Sequence, residues 1–349
     1  MSDPSGHARS ESLKGSQDGA PSPFRLYAAA VRYLITGGSG YIGSRLVQRL
    51  SEQPDTERIL ICDVRPPRVF RPGVSFVELD VRDAARVRSA VAEERPDVVV
   101  HLAFILNPMH DEAAMYEIDV GGTHNVLEAC SAADVGQVLV TSSSTAYGAF
   151  PDNPVPLTEE HPVRGVPDFE YARDKAESDR LCQLWGLRHP DRVMTIVRPC
   201  IVFGPGVNNY LVRLWTSQPF QPDFGLPDPG IQFVHEDDVV EAVVVLLAER
   251  AGGAFNVAGE GVMPVAECAS MIGVPRRRMP LALGRRISSV MWKLRRSESP
   301  PGSIDFALYP WIVSNEKLKR ETSWRPRFSS RETFEITMRA HGKLAAESA

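Results

Sequence analysis

Tyr171 and Lys175, in the stretch YARDK, stand four positions apart and so share one face at the start of a helix. A phenol with a reference pKa of about 10 is a poor acid or base at neutral pH until a neighbouring cation favours its ionised form. Lys175 supplies that cation. Alone, a Tyr-x-x-x-Lys pair is commonplace on exposed helices. Here it follows a β-rich run, QVLVTSSS, ending in Ser142, Ser143 and Ser144, which offers a hydroxyl to hold a substrate oxygen while the phenol moves a proton.

A second group is the glycine run TGGSGYIG, Thr36 to Gly43. It reads either as Gly38-x-Gly40-x-x-Gly43 or as Gly37-x-x-Gly40-x-x-Gly43. In both registers it follows an apolar run, VRYLIT, and opens a segment of helical spacing, the context a phosphate-binding turn needs; the plainer alternative is a tight strand-to-helix turn. Asp63 stands twenty positions after Gly43, at the end of RILICD. A carboxylate there accepts hydrogen bonds from ribose hydroxyls and repels a 2′-phosphate, which favours NAD over NADP; Arg65 argues the other way. Asp80, in VELDVRD, is placed for the adenine side or is an exposed loop residue.

The elements that must position these groups are legible from Val31 onward. Short β-branched runs (VRYLIT, RILICD, VSFVEL, DVVVHLA, QVLVTSSS, RVMTIVRP) alternate with helical segments at Tyr41 to Ser51, Ala84 to Glu93, about Asp111 to Ala133 and about Tyr171 to Trp185. Such alternation implies an α/β fold, a doubly wound parallel sheet, with strands apolar throughout because both faces are covered. After Phe203, Pro and Gly become frequent, which marks a smaller C-terminal substrate lobe. The expected layout is a disordered tail over 1–30, a dinucleotide-binding domain over 31–205 to which part of 233–258 returns, a mainly substrate-binding lobe over 206–335, and a C-terminal tail over 336–349.

Composition narrows the partners. The 349 residues are 43% apolar and 24% charged with a net charge of -5, so nothing attracts nucleic acid and a small-molecule partner is expected. Five scattered cysteines without a C-x-x-C pair fit a reducing cytoplasm. The polar N-terminus has no signal-peptide pattern. The most apolar stretch, VVEAVVVLLA, is too short to span a membrane. HEDD (His235 to Asp238) and EEH (Glu159 to His161) tempt a metal reading, but acidic residues at a helix start and in a Pro-rich loop are explained without one, so no metal is expected. The segment from Gly273 to Gly302 holds seven arginines between Arg276 and Arg296 among apolar residues. It reads as a solvated basic helix face, or as a surface for phosphate or a membrane.

In order, T-G-x-x-G-x-x-G, S-S-x-x-x-Y-G (Ser142 to Gly148), Y-x-x-x-K, R-P-x-x-V-F-G-P-G (Arg198 to Gly206), F-V-H-x-D-D-V (Phe233 to Val239) and the closing S-W-R-P (Ser323 to Pro326) resemble the extended short-chain dehydrogenase/reductases, the NAD-dependent epimerase/dehydratase family. The wording looks closest to the UDP-glucose 4-epimerase-like branch. The resemblance selects the Gly37, Gly40, Gly43 register and implies Ser143, Tyr171 and Lys175 as catalytic residues. It implies NAD held by Gly37, Gly40, Tyr41, Ile42, Gly43, Asp63, Asp80, Val81, Leu102, Ala103, Tyr171, Lys175 and Pro199, substrate contacts at Ser144, Thr145, Asn208 and Ile231, and a homodimer. Four departures qualify it. Asp119 stands where the family has Asn, placing an extra charge near the substrate pocket. Ser144 and Thr145 replace the acidic residues of the 4,6-dehydratases and decarboxylases. Ile231 replaces the arginine that grips a sugar nucleotide's diphosphate, and PPGS (Pro300 to Ser303) replaces a second arginine site. Two reactions stay open: 4-epimerisation of a sugar, or NAD(P)-dependent oxidation or reduction of an alcohol or ketone that is not a UDP-sugar. A cofactor sensor without catalysis would show a damaged Ser, Tyr or Lys, and none is damaged.

Overall fold

The structure, a computed structural model, describes residues 30–344. All of the expected N-terminal tail except Ala30 lies outside the described residues, as do residues 345–349. The strands run β1 (Val31–Thr36), β2 (Thr56–Asp63), β3 (Val74–Glu78), β4 (Val98–His101), β5 (Gln137–Thr141), β6 (Val193–Pro199), β7 (Ile201–Phe203), β8 (Gln221–Asp223), β9 (Phe233–His235), β10 (Gly253–Val257) and β11 (Arg276–Arg278). Seven of them form one sheet in the order β10-β6-β5-β4-β1-β2-β3, with every pairing parallel. The order turns back between β1 and β4, where Thr36 pairs with His101. At that switch the connections leave toward opposite sides and open a crevice at the carboxyl ends of the strands.

Both faces of the sheet are covered, which is why its central strands are unbroken runs of Val, Ile and Leu; Val98, Val99 and Val100 are all fully buried. On one face lie α1 (Tyr41–Ser51) and α7 (Glu236–Ala248), which present Leu46, Val47, Leu50, Val239, Val243 and Leu247 to the sheet. On the other lie α2 (Ala84–Glu94), α3 (Glu112–Tyr116), α4 (Gly122–Ala132) and α5 (Glu170–Arg188), bringing Val87, Val91, Val126, Leu127, Cys182 and Trp185. The single helix expected over Asp111 to Ala133 is interrupted by a π turn, Glu117–Gly121, between α3 and α4. The helix carrying Tyr171 is longer than its periodicity predicts because Glu170 and Arg188 extend it at both ends. All five cysteines are buried and free.

Beyond the sheet lie α6 (Tyr210–Thr216), α8 (Val265–Met271), α9 (Leu281–Lys293) and α11 (Ser330–Ala340), with the parallel pairs β7·β9 and β8·β11, which form a lobe; α10 (Glu316–Glu321) packs beside β10, its Leu318 in the sheet core. The core of the lobe joins Phe203, Trp215, Ile231, Phe233, Phe334 and Met338. The tail expected from residue 336 begins later than that boundary. A capping box between Ser329 and Glu332 starts α11, and Thr337 and Met338 are fully buried, so the chain stays packed through Ala340. β10 lies beside β6 as the seventh strand.

Candidate active site

The glycine run turns directly from β1 into α1. Gly37 has φ 70°, a left-handed conformation that favours glycine, and a Cβ there would lie 2.6 Å from Ala103 N. A Cβ on Gly43 would strike the Gly37 carbonyl oxygen, whereas one on Gly40 would sit at 3.1 Å from that oxygen. Gly37 and Gly43 are thus the sterically demanding pair. Gly40 caps α1 with no side-chain hydrogen bond, so the first amides of the helix face the crevice. Asp63 at the end of β2 accepts from Ser39 N at 3.1 Å and from Arg65 N at 3.2 Å, while the Arg65 side chain is exposed. Leu102 N donates to Thr36 O at 3.0 Å, which carries Leu102 and Ala103 along the crevice wall. Val81 packs against Gly122, Pro199 ends β6 in a buried position, and Tyr41 and Ile42 are half-buried at the helix start. Asp80 is held by Arg82 at 2.6 Å, which keeps its carboxyl below the usual range. A glycine cradle, open helix amides and an acidic residue at the end of β2 fit a dinucleotide.

Ser143, Tyr171 and Lys175 come together one strand over, beyond β5. Ser143 caps a 3₁₀ turn, Ser144–Tyr147, and its Oγ accepts from Thr145 N at 3.2 Å and Thr145 Oγ1 at 2.9 Å. Tyr171 stands on the first turn of α5, beside Ser143. Burial pushes the Tyr171 phenol above its ordinary value, the Ser143 hydroxyl pulls it down, and Asp119 raises it where that carboxyl is ionised. Lys175 Nζ donates to Thr141 O at 2.6 Å, sits 3.4 Å over the Phe104 ring and lies 5.9 Å from the Tyr171 ring centre. Burial lowers this ammonium to about 8 against the raising effect of Asp119. Phe104 meets Tyr171 edge-on at 5.9 Å, and Phe169 lies 6.0 Å from Tyr171 and 5.6 Å from Phe306, so the phenol is walled by aromatic rings. The hydroxyls of Ser39, Thr141, Ser142 and Ser144 are buried with no partner among the described residues.

The departures from the family pattern land in different places. Asp119 is fully buried in the π turn; it accepts from Ile105 N at 2.8 Å while its second oxygen has no partner among the described residues. Burial raises its carboxyl to about 8. Ile231 points into the lobe core and exchanges backbone hydrogen bonds with Met263, offering nothing to a diphosphate. Thr145 stays beside Ser143, whereas Asn208 is exposed and meets Arg213 at 3.4 Å.

Sequence reasoning missed the scaffold behind the site. Arg198, buried at the end of β6, holds Asp179 on α5 through two bonds of 2.8 and 2.7 Å and reaches the Tyr147 hydroxyl at 2.7 Å; Tyr147 in turn donates to Asn256 on β10 at 2.9 Å. This network fixes α5 and the Ser143 turn to the sheet. Its signal lay in the R-P and Y-G pairs, whose partners are far away in sequence. His101 is also buried, between Thr36 Oγ1 at 2.6 Å and Thr123 Oγ1 at 3.1 Å, and burial lowers it to about 3, so it is neutral. The two acidic clusters have structural work. Glu236 is fully buried and takes Tyr41, Arg45 and Gly206 N; Asp238 accepts from Arg327 N and Phe328 N; Glu159 accepts from Asn256 N.

Fold and site together define an α/β enzyme that holds a dinucleotide at the switch point of a parallel sheet beside a Ser-Tyr-Lys group. Residues 33–258 match the model of the NAD dependent epimerase/dehydratase family, and the chain belongs to that family, within the extended short-chain dehydrogenase/reductases; it is an NAD-dependent enzyme. An uncharacterized protein of Mycobacterium tuberculosis is 25% identical over 320 residues, covering 88% of this chain and 84% of that protein. A 3-diazoavenalumate denitrifying reductase of Streptomyces sp is 30% identical over 275 residues, covering 74% of this chain and 87% of the reductase. The structure of the Thermus thermophilus UDP-glucose 4-epimerase with NAD superposes with a TM-score of 0.69 at 23% identity over 88% of this chain and 98% of that one.

Proposed function

We propose that the chain is an NAD-dependent oxidoreductase acting on a secondary alcohol or ketone set in an apolar or aromatic framework. The observation that carries this reading is the aromatic packing around Tyr171, whose ring is met by Phe104 and Phe169, with Phe306 behind Phe169. When bound, NAD supplies a hydride acceptor for the carbon that carries the oxygen. Ser143 holds the substrate oxygen, and Tyr171 takes the hydroxyl proton on oxidation or returns it on reduction. Lys175 keeps a positive charge near the phenol, which favours its ionised form, and is placed to hold the nicotinamide ribose. Asp63 would hold the adenosine ribose.

A second reading, 4-epimerisation of a sugar nucleotide, is favoured by the whole-chain likeness to solved UDP-glucose 4-epimerases. Against it stands Ile231, since a buried diphosphate without cationic donors is several kcal/mol worse off. Calorimetry with UDP on the NAD-loaded protein decides: binding weaker than about 1 mM is expected, and micromolar binding would restore the sugar-nucleotide reading. For the proton step, Tyr171→Phe should lower turnover by about 10²- to 10⁴-fold while NAD affinity stays within twofold or so; near-native turnover would remove Tyr171 from the mechanism. The same reading has the protein act as a homodimer in the cytoplasm, and sedimentation velocity tests the first part.

A further inference from the structure

α9 turns one face inward and leaves an unusual one outside. Inward, a Cβ on Gly284 would strike the Phe224 ring, Arg285 pairs with Asp305 at 2.6 Å, and Trp292 stacks on His110 with ring centres 3.9 Å apart. Outward, Leu283, Ile287, Val290 and Leu294 are 47%, 43%, 48% and 60% exposed. Spaced at 4, 3 and 4 residues, they fall in one stripe roughly 16 Å long. Arg286 and Lys293 flank this stripe, and Arg295 and Arg296 follow it; all four are exposed, and their side chains make no ion pair among the described residues. Two acids that follow in sequence are already engaged, Asp305 by Arg285 and Glu298 by Arg213. A protein with a net charge of -5 thus gathers uncompensated cations beside its exposed aliphatic stripe.

We propose that the outer face of α9 docks on a membrane surface rich in anionic phospholipid, lying in the interface without crossing it. Aliphatic side chains along one line enter the headgroup boundary while long basic side chains beside them reach the phosphates, the arrangement of an interfacial amphipathic helix. Charge selects this occupant. A second copy seated on the same stripe would set Arg286 and Lys293 against like charges, and one narrow stripe falls short of the area a stable protein interface buries. The Trp292–His110 stack ties α9 to the loop that follows β4, so the docked face lies at the substrate end of the sheet. Uptake of a lipid-dissolved substrate there would rest on the oxidoreductase reading; the docking does not.

The test is flotation of the NAD-loaded full chain with vesicles of phosphatidylcholine alone and with about 30 mol % phosphatidylserine. Binding to the anionic vesicles should exceed binding to the neutral ones at least about tenfold and fall with salt. Arg286→Ala with Lys293→Ala should weaken it about twenty-five-fold, at roughly fivefold per cation. Ile287→Ser with Leu294→Ser should weaken it at least tenfold or so. Arg88→Ala, on exposed α2, should change nothing, and NAD affinity should stay level in every variant as the check on folding. Equal binding to both vesicles, or binding indifferent to the α9 variants, overturns the proposal. So does a loss of dimer, without lipid, in the Ile287→Ser and Leu294→Ser variant, which would make the face a contact between copies.

Discussion

At the scale of single residues, Asp119 carries the sharpest departure from the family pattern, and its effect is electrostatic. Burial raises its carboxyl to about 8, so the folded protein keeps a proton that the unfolded chain, with the ordinary value of about 3.9, has released. The folded state therefore binds more protons than the unfolded one between about pH 4 and pH 8, and stability falls as pH rises through that window. Asp119→Asn has no proton to exchange and still offers an oxygen to Ile105 N. Its stability relative to the native protein should rise with pH across the window, by at most about 1.4 kcal/mol per pH unit. Denaturant titrations at about pH 5 and pH 8 check this; a difference that stays constant would mean that Asp119 is ionised in the fold. Asp119 was legible as a substitution, but not its depth, because the π turn that buries it leaves no periodic mark in the sequence.

At the scale of elements, the turn from β1 into α1 settles which glycines the site depends on. Gly43→Ala would drive a methyl group into the Gly37 carbonyl, while Gly40→Ala leaves a tight but adjustable contact. Calorimetry with NAD should show at least a tenfold loss for Gly43→Ala, about 1.4 kcal/mol, and a smaller one for Gly40→Ala. Equal losses would show that the crowding near Gly37 is relieved by backbone movement. The strands and helices of the first half were readable because buried parallel strands are apolar throughout and the helices between them are periodic. What could not be read was pairing at long range. Arg198 with Asp179, and Tyr147 with Asn256, meet only after the sheet has assembled, and no local pattern announces them. The Phe104, Phe169 and Phe306 wall escaped for the same reason, since its members come from three separate loops or turns.

At the scale of the molecule, the core of the lobe is held together by aromatic packing. Phe334 of α11 is fully buried, 5.2 Å from the Phe233 ring of β9 and 5.4 Å from Trp215 of α6. Phe334→Ala should cost about 3–5 kcal/mol in a denaturant midpoint analysis. A loss below about 1 kcal/mol would show that α11 packs as an appendage. The lobe was harder to read than the sheet domain because its elements are short, and their burial is decided by partners such as Phe233 rather than by their own periodicity.

The late return of β10 bears on how the chain is made. A ribosome releases β1 to β6, with Ser143, Tyr171 and Lys175 already in place along the strand order, long before Gly253–Val257 emerge. Until then the free side of β6 is an unpaired parallel edge, the kind of edge that recruits other chains. Asn256 is also missing from Tyr147 during this interval, so the Arg198 network is incomplete. A nascent or shortened chain ending before Val257 would thus carry Ser143, Tyr171 and Lys175, yet hold α5 loosely and present a sticky border to its neighbours.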